Sequence, residues 1–167
     1  MLIAHAPVGY IAGVALRRWS SIPGLVGAAV AGALAPDLDM LLFLADPTIH
    51  HHAWPTHWPV VWLGLAAAAA PGLAWARSRT PAALVLVFAA SGFLHLVLDT
   101  VAGDVRWLAP ISDRAWSLVR VTRRFEPWWL NFVIHWTFAV ELVLVALAGG
   151  VWLRRRRSAQ KTTGTSS

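Results

Sequence analysis

Residues 81–103 read PAALVLVFAASGFLHLVLDTVAG, an apolar stretch that nevertheless carries His95 and Asp99 near its end. A membrane-spanning helix needs roughly 20 mostly apolar residues, because each rises about 1.5 Å and the hydrocarbon layer is about 30 Å thick. This run meets that requirement. Residues 58–76 precede it across the basic connector Arg77-Ser78-Arg79, so the two apolar runs form a hairpin of spans. Residues 22–44 form another run that contains GALAPDLD. Its Pro36 lacks a backbone donor and clashes with the preceding turn, so the helix should kink or break beside Asp37. The run 2–16 is short for a span, whereas 128–153 is long enough and is followed directly by Arg154 to Arg157.

Between these runs, ADPTIHHHAWPTH (residues 45–57) has two prolines and four histidines and reads as a loop. Residues 104–127 hold most of the remaining charges, with a short interfacial helix expected around Ser112 to Val121. The tail after the arginines is rich in Ser and Thr and reads as disordered. The expected fold is all-α, a polytopic membrane helical bundle of about five apolar helices. It comprises one embedded domain over 1–153, with a basic anchor and disordered cytoplasmic tail over 154–167.

Composition agrees with a membrane setting. The 167 residues are 57% hydrophobic and only 13% charged, with a mean hydropathy of +0.58, more apolar surface than one water-soluble core of this size would hide. A net charge of +6 in a soluble protein would suggest nucleic acid. Here the cations cluster between apolar runs and read as membrane anchors, so no nucleic-acid partner is expected. Several of the tryptophans, including Trp54, Trp58, Trp107, Trp128, Trp129 and Trp152, fall near proposed interfaces, where a belt role suffices. Cysteine is absent, so any metal site must use imidazole and carboxylate. The opening MLIAHAPVGY lacks a basic n-region and holds a histidine within its apolar stretch, so it does not read as a cleavable signal peptide.

Threading the runs through a bilayer puts Arg17, Arg18, Arg77, Arg79, Arg154 to Arg157 and Lys161 on one side, with no acidic residue. Arg106, Arg114, Arg120, Arg123 and Arg124 fall on the other. The positive-inside rule makes the first side, with the C-terminus, cytoplasmic. The ionisable residues in or beside apolar segments are His5, Asp37, Asp39, His50, His51, His52, His57, His95, Asp99, His135 and Glu141. All except Glu141 fall near the outward ends of their segments, although the threading used only hydrophobicity and basic residues. Such groups are costly in a membrane unless paired, metal-bound or wetted.

His95 and Asp99 are four apart, share one helical face and can reach a single ion; a hydrogen bond joining two helices would use the same spacing. Asp37 and Asp39 would oppose each other in an α-helix, but an extended or turn geometry after Pro36 would aim both one way. Two carboxylates facing one cavity repel without a cation; the alternative is one functional and one solvated aspartate. In the His50 to His52 run, only one or two imidazoles should matter. His5 alone reads as a buried structural histidine. His135 and Glu141, six residues apart, read as packing or interhelical hydrogen-bonding groups. Sulfur-free donors suit zinc, and also iron or manganese.

The ordered pieces His5 with Gly9, GALAPDLD (Gly32 to Asp39), His52 to His57 with its Thr-His end, HLVLDTVAG (His95 to Gly103) and Leu108 to Pro110 resemble the YdjM-like family. This bacterial family is described as inner-membrane metal-dependent hydrolases related to zinc-dependent phospholipase C. The resemblance implies a helical metallohydrolase with metal ligands His5, Asp37, Asp39, His52, His57, His95 and Asp99. Where the family commonly carries an arginine after the first histidine of the Thr-His motif, this chain has Ala53. Arg106 and Arg114 are the candidates to supply a phosphate contact in its place.

The expected activity is hydrolysis of an ester or phosphoester by water activated on one or two divalent ions, zinc first and manganese or iron next. Asp39 or Asp99 would act as general base. A cluster at the outward face of the inner membrane makes a lipid headgroup the natural substrate. The rival is a non-catalytic membrane protein, either a metal or proton carrier or a partner-binding scaffold. A carrier should show paired segments and polar residues at mid-membrane, where only Glu141 lies.

Overall fold

Proline and glycine divide the apolar sequence into helices in the computed structural model, which describes residues 1–45 and 51–163. Helix α1 (His5–Leu16) is followed by α2 (Leu25–Leu34), which starts after Gly24 in the left-handed region at φ +85°. Pro36 then ends α2, and a 3-10 turn (Pro36–Asp39) leads into α3 (Met40–Ala45). The bend between α2 and the segment from Pro36 to Ala45 is 42°. The proline cannot donate to its helix, so the kink expected beside Asp37 is present.

Two more 3-10 turns (His51–Ala53 and Pro55–His57) lead into α4 (Pro59–Ala69) and α5 (Pro71–Trp75). Helix α6 (Thr80–Asp99) is followed by irregular chain, then by α7 (Trp129–Ile134) and α8 (Thr137–Thr163). No strand forms among the described residues; Val105 and Trp116 make an isolated antiparallel bridge.

The all-α expectation holds, and of the about five apolar helices expected, two or three reach the length of a span. Only α6 and residues Thr137–Lys161 of α8 are individually long and apolar enough to cross a membrane, and α2 with its bent continuation makes a third if counted as one span. The 12 residues of α1 rise about 18 Å. The run 58–76 is divided at Pro71, which begins a separate short helix.

The interfacial helix expected around Ser112 to Val121 is corrected. Trp116 exchanges backbone hydrogen bonds with Val105 at 2.9 and 3.0 Å, and the N–H groups of Leu118 and Val119 donate to Thr100 and Val101 at 2.7 and 3.0 Å. Those donors serve distant carbonyls, so they are withdrawn from any local helix. Extended backbone at His135 (ψ 144°) interrupts the last apolar run. Helix α8 continues through Arg154–Arg157, since Arg, Lys, Ala and Gln are good helix formers. His50 lies outside the described residues.

Helix α2 packs against both α1 and α6, α4 lies on α6, and α8 lies on α1. Between lipid-facing helices water provides no hydrophobic drive, so close approach depends on small residues. A Cβ at Gly9 would lie 2.7 Å from the Ala33 methyl, and one at Gly32 only 2.1 Å from the Phe88 carbonyl oxygen. Trp62, Leu96 and Val105 form the compact apolar core below the irregular segments. Gly32→Val should therefore destabilise the protein in detergent by about 1–3 kcal/mol or more. Gly27→Val, at a position with nothing within 4 Å, should leave the thermal midpoint near wild type.

Candidate metal centre

Consecutive helices run alternately away from and toward one end of the molecule. His5 opens α1, α2 ends just before Asp37, His57 precedes α4, and α6 closes with His95 and Asp99. Their side chains meet around Asp99. Its Oδ2 lies 2.9 Å from His95 Nε2, 3.4 Å from His57 Nε2 and 3.5 Å from His52 Nε2, and its Oδ1 lies 3.1 Å from His5 Nε2. Asp37 Oδ1 stands 3.5 Å from His95 Nε2. The His5 and His95 rings stack at 3.6 Å between centroids. All of these groups are buried except Asp37, whose side chain is 36% exposed at the rim.

The orientation of the imidazoles follows from the backbone. The carbonyls of a helix's last turn lack internal partners, and the Pro36 break leaves that of Ala33 to accept from His95 Nδ1 at 2.7 Å. The Asp104 carbonyl accepts from His52 Nδ1 at 3.0 Å. Beside it, Gly103 leaves room for the ring, since a Cβ there would meet His52 Cε1 at 2.8 Å. Asp39 Oδ2 faces His57 Nδ1 at 2.6 Å. With each Nδ1 held by an acceptor, the three histidines turn Nε2 toward the Asp99 carboxylate. His95 Nε2 and Asp99 Oδ2 are buried and, although 2.9 Å apart, share no hydrogen bond; His5 Nδ1 is likewise buried without one.

Donor atoms of His5, Asp37, His95 and Asp99 all lie within 4.8 Å of one another, as do those of His52, His57 and Asp99. The two groups share Asp99 and fit one or two divalent ions. Each fixed Nδ1 is the outer contact that metal-binding histidines characteristically make.

Asp37 and Asp39, expected to aim one way, diverge. A 3-10 helix has three residues per turn, so positions two apart face different directions. Asp37 joins the ligand group at the rim, while Asp39 stands behind His57 and also accepts from Thr56 Oγ1 at 3.0 Å. Asp39 Oδ2 therefore orients His57, a contact that the sequence reading of Asp39 as ligand and base did not include.

Burial pushes the His57 imidazole down, but its hydrogen bonds to Asp39 and Asp99 and their charges outweigh this and raise it to about 9. In the metal-free protein this interaction stabilises the fold below the ordinary histidine pKa and is lost as pH rises through about 9. A metal taken by Nε2 therefore displaces a proton.

Other residues take different places. His135 contacts Thr137 Oγ1 at 2.9 Å and lies against Trp136, a packing role. Arg106 pairs with Asp113 at 3.0 Å, and Arg114 lies 4.4 Å over the Trp116 ring. Each of the two arginines considered for a phosphate contact is thus engaged on the surface. The residue least anticipated is Glu141, buried in α8. Its Oε2 accepts from the N–H groups of Leu2, Ile3 and Ala4 at 2.8, 2.6 and 3.2 Å. Helix α1 has no side-chain cap of its own, and Glu141 holds the backbone just ahead of it together with the N–H of its N-cap, Ala4. The same segment brings the Met1 amino group onto Asp99 Oδ1 and the Met1 carbonyl within 3.1 Å of His5 Nε2.

A sequence offers no signature for a carboxylate whose partners are backbone donors of another helix. Glu141→Ala should release the segment that carries His5 and lower metal affinity by roughly 10–100-fold. Glu141→Gln should lose less and His135→Ala little, as read by metal retention against a competing chelator.

No curated protein and no solved structure matches this chain. A family model described as YdjM inner membrane protein matches residues 1–159. That range takes in every element that delivers a side chain to the cluster, and the chain belongs to this family of inner membrane proteins.

Proposed function

We propose that the protein is a membrane-bound metal-dependent hydrolase that cleaves an ester or phosphoester, with a lipid headgroup as its substrate class. The observation that carries this reading is the convergence of three Nε2 atoms on the buried Asp99 carboxylate while every matching Nδ1 is held by an acceptor. Buried carboxylates and imidazoles gathered this closely call for positive charge, which a divalent cation would supply and which the Met1 amino group and a protonated His57 supply in part without one.

His5, Asp37, His95 and Asp99 would hold one ion, and His52 and His57 with Asp99 a second. The donor set suits zinc, with manganese or iron as alternatives. A bound divalent ion supplies Lewis acidity and brings the pKa of water towards neutrality. The chain's own residues do the rest. Asp39 and the Ala33 and Asp104 carbonyls fix the rings. Asp37, open to solvent at the rim, is the carboxylate best situated to take a proton from water.

Lipid access is supported by α3, which follows the aspartates directly and exposes Leu41 and Leu44 by 65% and 71%. The alternating helix directions support a multi-pass arrangement. The basic residues after α1, before α6 and late in α8 lie at the helix ends opposite the cluster, which favours a cytoplasmic C-terminus and an outward site. Glu141, expected at mid-membrane as in a carrier, lies instead at the cluster end of α8 and accepts from three backbone donors, and this weighs toward the hydrolase.

Full-length protein in detergent should contain one or two equivalents of zinc, manganese or iron by elemental analysis, and His95→Ala or Asp99→Asn should strip most of it. Phosphodiester or phospholipid hydrolysis should vanish with chelator and return with metal. Asp37→Asn, altering the rim ligand of the first group, should weaken metal retention less than His95→Ala or Asp99→Asn while losing roughly 10²–10⁴ in kcat on metal-saturated protein. Protein without stoichiometric metal would overturn the site, and metal-loaded protein inert on a broad ester panel would leave the carrier or scaffold.

A further inference from the structure

The end of the bundle remote from the metal centre carries a second feature, independent of the hydrolase reading. Helix α1 starts in the cluster at His5 and ends at Leu16, about 18 Å along its axis, with Arg17 directly after it. On α8, Glu141 marks the cluster end, and Arg155 and Arg156 lie about 20 Å further on. Because α8 packs on α1, these two basic ends come together. They meet at an open depression of about 400 Å³, lined by Tyr10, Arg17, Val26, Trp152, Arg155 and Arg156.

The depression has two characters. Tyr10 and Trp152 with the Val26 side chain provide an apolar wall between helices, and three guanidinium groups stand around it with no carboxylate in the lining. Among the described residues none of these three arginines is joined to an acidic side chain, in contrast to Arg106 and Arg123, which pair with Asp113 and Glu126. The Arg156 guanidinium lies 4.2 Å over the Trp152 ring, so the apolar and cationic parts are coupled.

A purely topological anchor needs positive charge near the span and nothing more. Arg77 and Arg79, before α6, meet that need and take no part in the lining of this depression. Three like charges brought together from two separate helices repel one another, and the gathering becomes favourable around an anion that also has an apolar part. Guanidinium groups bind phosphate oxygens in pairs, and basic pockets between membrane helices on the cytoplasmic side hold anionic headgroups.

We propose that this depression binds one anionic glycerophospholipid from the surrounding leaflet. Its phosphate sits among Arg17, Arg155 and Arg156, and an acyl chain lies along Tyr10, Val26 and Trp152. The site is a binding site, separate from the metal centre.

The test uses full-length protein in nanodiscs of phosphatidylethanolamine with a minority of phosphatidylglycerol, followed by native mass spectrometry of the lipid that stays bound. Wild type should retain about one phosphatidylglycerol per chain in preference to phosphatidylethanolamine. Arg17→Ala/Arg156→Ala should reduce that retention by roughly 10-fold or more, while the charge-matched Arg77→Ala/Arg79→Ala should retain it. Val26→Trp, which fills the slot without altering charge, should displace the lipid as well, and it keeps the test decisive if the arginine pair folds poorly. Equal loss in both arginine pairs would mean diffuse electrostatics and overturn the proposal. Wild type without anionic preference, or undiminished retention in Val26→Trp, would do the same. Metal content, read on the same samples, reports separately on the distant cluster.

Discussion

Acceptor atoms repel one another where water cannot screen them, and that repulsion is the constraint around which this protein is arranged. His52 and His95 could each relieve it by turning a protonated nitrogen toward Asp99, and His57 relieves it in the metal-free protein by holding its second proton between Asp39 and Asp99. The Asp104 carbonyl, Asp39 and the Ala33 carbonyl hold the rings the other way. For His95 the chain of cause runs back to a single residue. Pro36 ends α2, the ended helix leaves a carbonyl without its own partner, and that carbonyl fixes the ring that faces Asp99 from the next long helix. The kink and the site are one feature seen at two levels.

Precision in such a cluster has to come from the helices, since the groups sit at helix ends or in turns fused to them. Gly32 lets the α2 backbone approach Phe88, and Gly9 lets α1 approach α2, so the ends bearing Asp37, His95 and His5 are set by close backbone contacts in the same helices. Glu141 completes this from α8 by gripping the start of α1. A lipid-bathed protein has little hydrophobic gain between its helices, and here direct backbone approach and buried hydrogen bonds take over that positioning.

What the sequence made legible was local. The four-residue spacing of His95 and Asp99 and the break at Pro36 follow from helix geometry and proline chemistry, and both are present as read. The roles of Asp37 and Asp39 were not legible in the same way. Extended chain and a 3-10 turn are both compatible with APDLD, and only the second sends the two carboxylates to different partners. The segment around Trp116 was misread because its backbone partners, Thr100, Val101 and Val105, are remote in sequence. The number of full-length spans was legible only in part for a related reason. Apolar run length does not register where a helix is interrupted, as by Pro71 between α4 and α5.

The two ends of the bundle then differ in kind for a physical reason. At one end, irregular turns, buried carbonyls and Asp39 hold imidazoles in fixed orientations, which suits a small cation that needs directional lone pairs. At the other, Arg17, Arg155 and Arg156 are long, solvent-reaching donors beside Trp152, which suits a diffuse anion at the edge of the lipid. Helices α1 and α8 run side by side from one end to the other, so the segment that brings His5 to the metal cluster also ends at the basic slot. Any change in how these two helices pack would therefore be felt by the directional site first. A ligand lone pair loses its aim within a few tenths of an ångström, whereas a guanidinium on a flexible stem follows a phosphate over a much wider range.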